Sequence, residues 1–417
     1  ILAAMFHGER PDLKASLALL QEAIRRYPDD ALPPIRAAIT AQLLDTPPLA
    51  IRYYELGLSI DPNYQEASEA LASLYELRIS EFAHGDRPNA ALATLKTFEK
   101  FQAEASATLG APIKPDMANA YAVMARGLVS LGDLAAAKRY LTRSLELRMN
   151  LPALESLGLI ALKLEKFEAA HAYLNQAQAL PGDSFALQFD KLRLARLAAE
   201  ASLGLGETAE ANAQFKAANT AWKALLTEYN LPPSAKALAL IELGKLRFQL
   251  GKREQAIDYF LRALSSTPNS SSNYAELVAY LTTRGILEPA IDIYLDALGN
   301  DKITTYYKIY MSLWVIAEAR RQGQEPHPHA LRYLKEQEGD QWSAQLARYA
   351  AGIGSKQRLR KMATTRGRRA EFLYYSAVLG PESRHEEKAK LLLEEVVRGQ
   401  MVLFFEYEMA KRYLLQL

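Results

Sequence analysis

Between residues 240 and 300, small, aromatic and chain-breaking side chains return at a fixed interval. Leu243-Gly244, Gly251, Ala256, Tyr259-Phe260, Ala263 and Pro268 are followed by Gly285, Ala290, Tyr294 and Ala297, which repeat Gly251, Ala256, Phe260 and Ala263 after one constant step. That step, about 34 residues, is the length of a two-helix repeat unit. Apolar positions inside each stretch keep a helical period, so the pattern predicts a repeated pair of antiparallel helices. Two such helices approach closely only where the facing residues are small. Gly244 on the first helix and Ala256 on the second are therefore expected to meet, with Phe260 filling the space beside them. Gly251 supplies the permissive backbone of the turn, and Pro268 ends the second helix.

The same pattern extends along the chain with falling fidelity. Ser16, Leu20, Ala23 and Pro28 precede Ala50, Tyr54, Gly57 and Pro62 by that same step, which predicts two repeats over 1–63, the chain opening inside a hairpin. A third unit pairs 66–83 with 88–103, and the proline-rich stretch from Gly110 to Pro115 reads as a break. Leu131-Gly-Asp133, Ala137 and Leu141 mark a fourth repeat, and Leu157-Gly158, Ala170, Leu174, Ala177 and Pro181 a fifth. In the sixth, the intervals from Ala170 to Ala211 and from Ala211 to Ala256 both exceed the common step, so lengthened helices are expected over 184–203 and 207–229. After Ala297 the repeat fades while helical spacing continues through Tyr306, Tyr307, Tyr310, Leu313, Trp314 and Ala317. Further helices are expected at 330–338, 342–351, 356–362, 368–378, 384–398 and 401–415, as degenerate repeats or a terminal cap. The resulting layout is 1–109, 116–299 and 300–417.

A chain of 417 residues with 49% hydrophobic content is long for one globular core, yet it has no alternating strand pattern and no glycine-rich linker. A solenoid resolves this, because each hairpin buries its apolar face on its neighbours. The absence of cysteine excludes disulfides, thiolate metal sites and cysteine nucleophiles. No apolar run reaches the length of a membrane span. The chain starts at Ile1 rather than methionine, which reads as a fragment or a processed form, and both periplasm and cytoplasm stay open.

The residue set Leu243-Gly244, Gly251, Ala256, Phe260, Ala263 and Pro268, with its weaker copies, resembles the tetratricopeptide repeat family over about residues 1–299. The resemblance implies an all-α, right-handed α-solenoid of helix-turn-helix repeats with a degenerate helical C-terminal region. It also implies a non-catalytic scaffold or adaptor whose first helices line a concave groove. The family's inward-facing positions fall here on Arg126, Val129, Leu159, Lys163, Arg193, Arg196, Lys245, Phe248 and Gln249, a mixed basic and apolar lining. Such a lining favours a partner peptide or helix carrying acidic residues beside apolar anchors. The alternative is that these cations are solvated or paired with neighbours such as Glu200. The Lys and Asn pair with which family members clamp a carboxylate is not reproduced, since Ile241 and Lys245, or Ala122 and Arg126, stand in its place.

Two further features bear on function. Tyr306, Tyr310 and Trp314 form either an exposed anchor for a partner or a core stripe, with Tyr306 and Tyr310 the expected exposed members. Residues 311–417 carry 18 basic and 13 acidic side chains, and Lys356, Arg358, Arg360, Lys361, Arg366, Arg368 and Arg369 fall in a stretch without an acid. That stretch reads as an anion-binding patch for nucleic acid or an anionic membrane, or as a face neutralised by Glu382, Glu386, Glu387, Glu394 and Glu395. His327 and His329 are separated by a proline and lack the spacing of a metal-binding helix. Other helical carboxylates read as solvated, and no catalytic, cofactor or metal motif stands out. The expected function is protein–protein interaction in assembly of a multi-protein complex, bacterial by its Ala, Leu and Arg richness. The regulatory repeat module of a larger enzyme is a further alternative.

Overall fold

In the computed structural model, residues 12–84, 87–182 and 184–416 are described; they form 22 α-helices and one 3-10 turn, with no strand among them. The expected opening inside a hairpin falls on residues 1–11, outside the described residues. The chain divides into two compact units, Ile1–Ser156 and Leu157–Leu417.

The first unit holds α1 (Leu13–Arg26), α2 (Leu32–Leu43), α3 (Pro47–Ile60), α4 (Gln65–His84), α5 (Pro88–Leu109), α6 (Met117–Ser130) and α7 (Leu134–Leu147). The division falls inside α8 (Leu151–Lys163). Helices α2 and α3, α4 and α5, and α6 and α7 pair as hairpins, and α4 also packs on α6. Local chemistry sets the starts: the Asp116 carboxylate accepts from Asn119 N at the head of α6, and Asp133 accepts from Ala136 N at the head of α7.

The second unit continues with α9 (Phe167–Gln178), α10 (Phe185–Gly204), α11 (Thr208–Glu228), α12 (Pro233–Gln249), α13 (Arg253–Ser266), α14 (Ser271–Thr282), α15 (Leu287–Gly299) and α16 (Thr305–Arg321). Then follow α17 (Pro328–Lys335), α18 (Trp342–Ala350), α19 (Lys356–Met362), α20 (Arg366–Val378), α21 (Glu386–Arg398) and α22 (Phe405–Leu414). Pairs α10/α11, α12/α13 and α14/α15 are hairpins, and alternate helices stack, α10 on α12 and α14 on α16. The lengthened pair is present as helices of 20 and 21 residues, whose extra turns are held by Trp222, fully buried edge-on to Phe189 at 4.9 Å.

The repeat has the geometry its residue types require. A Cβ added at Gly244 would stand 2.3 Å from the Phe260 ring and 3.1 Å from Ala256 O, so α12 and α13 touch there through a residue without a side chain. Gly251 and Gly285 take φ of 74° and 77° in the turns that follow α12 and α14, a region that costs other residues strain. One apolar core runs without a break from Ala237 on α12 to Ala410 on α22, so residues after 300 share their interior with the repeats before them. Two expected helix starts are corrected. The last helix begins at Phe405 rather than 401, because Gln400 at φ 52° turns the chain and Met401 and Val402 are buried in the bend; α21 begins at Glu386, after a 3-10 turn (Pro381–Arg384) opened by a proline.

Gly244→Ala is expected to destabilise the chain by about 1–3 kcal/mol, since the ring of Phe260 must move to admit one methyl. Urea denaturation at neutral pH measures this, and an unchanged midpoint would contradict the close approach of α12 and α13.

Candidate functional site

Five helices of the second unit present one face to a common cleft of about 870 Å³: the end of α8, then α10, α12, α14 and α16. The lining residues recur at helical intervals. Leu159 and Lys163 stand on α8, Arg196 and Glu200 on α10, and on α14 Ser272, Glu276 and Ala279 are spaced four and three apart. Tyr307 and Trp314 do the same on α16. The opposite wall is residues 403–411, with Phe404, Phe405, Glu408 and Lys411 turned into the cleft.

The floor is a chain of ion pairs across three successive inner helices. Glu276 Oε1 lies 2.6 Å from Lys245 Nζ, which is 3.1 Å from Glu242 Oε1. Glu242 accepts from Arg196 Nε at 2.7 Å, and Arg196 Nη1 reaches Glu200 at 2.7 Å. Gln249 donates to Glu200 at 3.1 Å. Glu242 is 2% exposed. Burial alone would raise its pKa, but the Arg196 and then the Lys245 charge outweigh it and hold the carboxyl at about 2. Burial likewise opposes the charge on Arg196, yet Glu242 and Glu200 raise its pKa above the ordinary value.

This corrects the expectation of a basic groove. Arg196 and Lys245 do line the cleft, but both are buried and satisfied from within, so neither is free for an incoming carboxylate. Reversing their charges would break the interior rather than test a binding surface. Lys163 also lines the cleft, 2.9 Å from Glu408. Arg193 stands 3.8 Å from Asp190. Phe248 packs edge-on against Tyr280 at 5.9 Å and does not line the cleft. Arg126 is exposed on α6 in the first unit, and Val129 is buried there.

The aromatic stripe divides. Tyr306 is 54% exposed, whereas Tyr310 is 6% exposed and donates to both carboxylate oxygens of Glu371 at 3.0 Å, which corrects its expected exposure. Trp314 is half-buried at the cleft wall and stacks on Phe405 at 4.9 Å. Glu371 also accepts from Trp342 Nε1, and Glu406 on α22 accepts from Tyr375 at 2.8 Å. Burial, then the neighbouring Glu406 charge, raise Glu371 to about 8, and burial raises Glu406 as well. These carboxylates and Glu242 are not solvated faces, as expected from sequence, but buried ones. Their signal was an acid with apolar neighbours on both sides: Ile241-Glu-Leu243, Ala370-Glu-Phe372 and Phe405-Glu-Tyr407.

The seven cations of the basic stretch are exposed, on α19 and the head of α20. Lys356 pairs with Glu382, Arg358 with Asp340 at 2.5 Å and Arg369 with Glu395 at 2.7 Å, while Arg368 lies over the Trp342 ring at 5.6 Å. Arg360, Lys361 and Arg366 share this exposed surface. His327 and His329 stack edge to face at 5.3 Å, and no group of three or more potential metal ligands gathers among the described residues. No helix among the described residues is long and apolar enough to cross a membrane.

A sequence model of the tetratricopeptide repeat matches residues 123–184, 203–271 and 241–302, which include the cleft-lining helices α8, α12 and α14. Over those residues the chain carries tetratricopeptide repeats. No curated protein sequence matches it. Among solved structures, the human IFIT1 dimer with m7Gppp-AAAA aligns over 97% of this chain and 86% of that one, at 12% identity and a TM-score of 0.41. Naa15/Naa10 bound to HypK-THB aligns over 97% and 71%, at 14% identity and 0.31. Tetratricopeptide repeats are protein-interaction scaffolds in general and are typically non-catalytic.

The two groups of buried carboxylates give opposite pH dependences. Glu242, depressed in the fold, contributes stability above about pH 4.5 that is lost as pH falls toward about 2. Glu371, raised in the fold, contributes stability below about 4.5 that is lost as pH rises through about 8. Urea denaturation is therefore expected to show a decline between pH 5 and 8, by up to about 1.4 kcal/mol per pH unit. Glu371→Gln, which keeps an acceptor for Tyr310, should flatten it; an equally steep decline in that variant would contradict the assignment.

Proposed function

We propose that the cleft of the second unit receives an extended or helical segment of a protein partner, and that the chain acts as a scaffold in assembly of a multi-protein complex, bacterial by its composition. The observation that carries this reading is the convergence of five successive inner helices on one cleft walled by aromatic rings, Tyr280, Tyr307 and Trp314, over a floor whose charges are already matched. Aromatic walls provide buried contact area for anchors. The internally paired floor presents oriented carboxylates and cations without an uncompensated charge to desolvate, so discrimination falls to the rim, where Lys163 and Lys411 meet Glu408 and Glu165.

Ala279 tests the reading because it faces the cleft and is only half-buried. Ala279→Arg is expected to fill the cleft and weaken partner capture from a native lysate at least ten-fold, with the melting temperature unchanged. Capture that resists this variant would contradict the proposal, as would recovery of nothing but nucleic acid or lipid that high salt removes.

A further inference from the structure

One wall of the cleft is the segment 403–411, laid against the inner helices. Phe405 stacks on Trp314 with ring centroids 4.9 Å apart and an interplanar angle of 27°. One turn further on, Glu408 meets Lys163 at 2.9 Å, and Lys411, one turn beyond that, pairs with Glu165. Phe404 and Leu403 complete the same wall. An aromatic pair followed by a carboxylate and then a cation is thus laid against an aromatic wall, a lysine and a glutamate, each matched in turn.

The segment is held in two ways that differ in strength. Its rim pairs are partly exposed, and such pairs contribute little, about 0–1 kcal/mol each. The other face is anchored: Arg412 Nη1 donates to Thr282 O and Tyr413 Oη to Ala317 O, both at 2.9 Å, and Met409 and Ala410 are fully buried. The weakly paired, partly exposed side of α22 is where the segment opens first.

From this we infer that residues 403–411 are a built-in occupant of the cleft, and that the partner it excludes is a protein segment of the same chemistry: two adjacent aromatics, a carboxylate one turn later and a cation one turn after that. This rests on the cleft being the binding site. Binding from outside then proceeds by exchange, and the apparent affinity is reduced by the fraction of chains whose own segment is released. Weakening the internal contacts raises that fraction, and fixing them abolishes it.

The test uses the full chain and a fluorescent synthetic peptide of residues 401–415, titrated by anisotropy. Glu408→Lys with Lys411→Glu reverses both rim pairs without touching the buried face, and the peptide is expected to bind this chain at least ten-fold more tightly than the unaltered one. Because the chain has no cysteine, Glu165→Cys with Lys411→Cys can be joined selectively by a short bismaleimide, and the joined form is expected to bind at least ten-fold more weakly than the same chain unjoined. Should the charge reversal unfold the chain, the joined form alone decides. Equal affinity across unaltered, reversed and joined chains, or no binding to a reversed chain of native melting temperature, overturns the inference. If the peptide fails while Ala279→Arg still blocks partner capture, the built-in occupant is wrong and the cleft stands; if Ala279→Arg is silent as well, the cleft itself is wrong.

Discussion

The burial of one carboxylate, Glu242, decides how the cleft is built. An ionised acid at that depth is tolerable only if opposite charges reach it in good geometry, and Arg196 from the preceding inner helix and Lys245 from the next turn of its own helix both do so. Lys245 then extends to Glu276 on the following inner helix, and Arg196 back to Glu200. Three helices that belong to three different hairpins are thereby held in one register. Apolar packing alone tolerates sliding, because ridges and grooves repeat along a helix; a buried ion pair does not, because a shift of one turn leaves a charge uncompensated.

The same constraint explains why the cleft walls, rather than its floor, are left to recognise a partner. Every charge along the floor is already engaged, whereas Trp314, Tyr280 and Tyr307 offer ring surface at the edge. Arg284 covers the Tyr280 ring at 3.6 Å, so even that wall carries a cation held in place by the fold. The C-terminal segment completes the enclosure with chemistry complementary to both, aromatic against Trp314 and acidic against Lys163.

Much of the fold was legible because the repeat writes steric requirements into residue types. Gly244, Ala256 and Phe260 meet as the repeat required, and the excess spacing around Ala211 became two longer helices filled by Trp222. The cleft was legible only in outline. Leu159, Lys163, Arg196 and Lys245 do face it, since helical periodicity fixes a face; but whether a cation there is free depends on acids 46 residues away in sequence, as for Arg196 and Glu242, and no local pattern reports that. Tyr310 was misplaced for the same reason, its partner Glu371 lying 61 residues on. The role of residues 403–411 was the least legible, because its match to Lys163 and Glu165 joins segments from distant parts of the chain, Lys411 and Glu165 being 246 positions apart.

The most direct measurement is a double-mutant cycle on the pair at the centre of the floor, Arg196→Met and Glu242→Leu, by urea denaturation of the full chain. If the buried pair sets the register, Arg196→Met alone costs about 3–5 kcal/mol, because it strands the Glu242 charge, and the double variant costs far less than the sum of the single ones. Single losses that add to within about 0.5 kcal/mol would mean that the two residues act independently, and the account of how the inner helices are held together would be wrong.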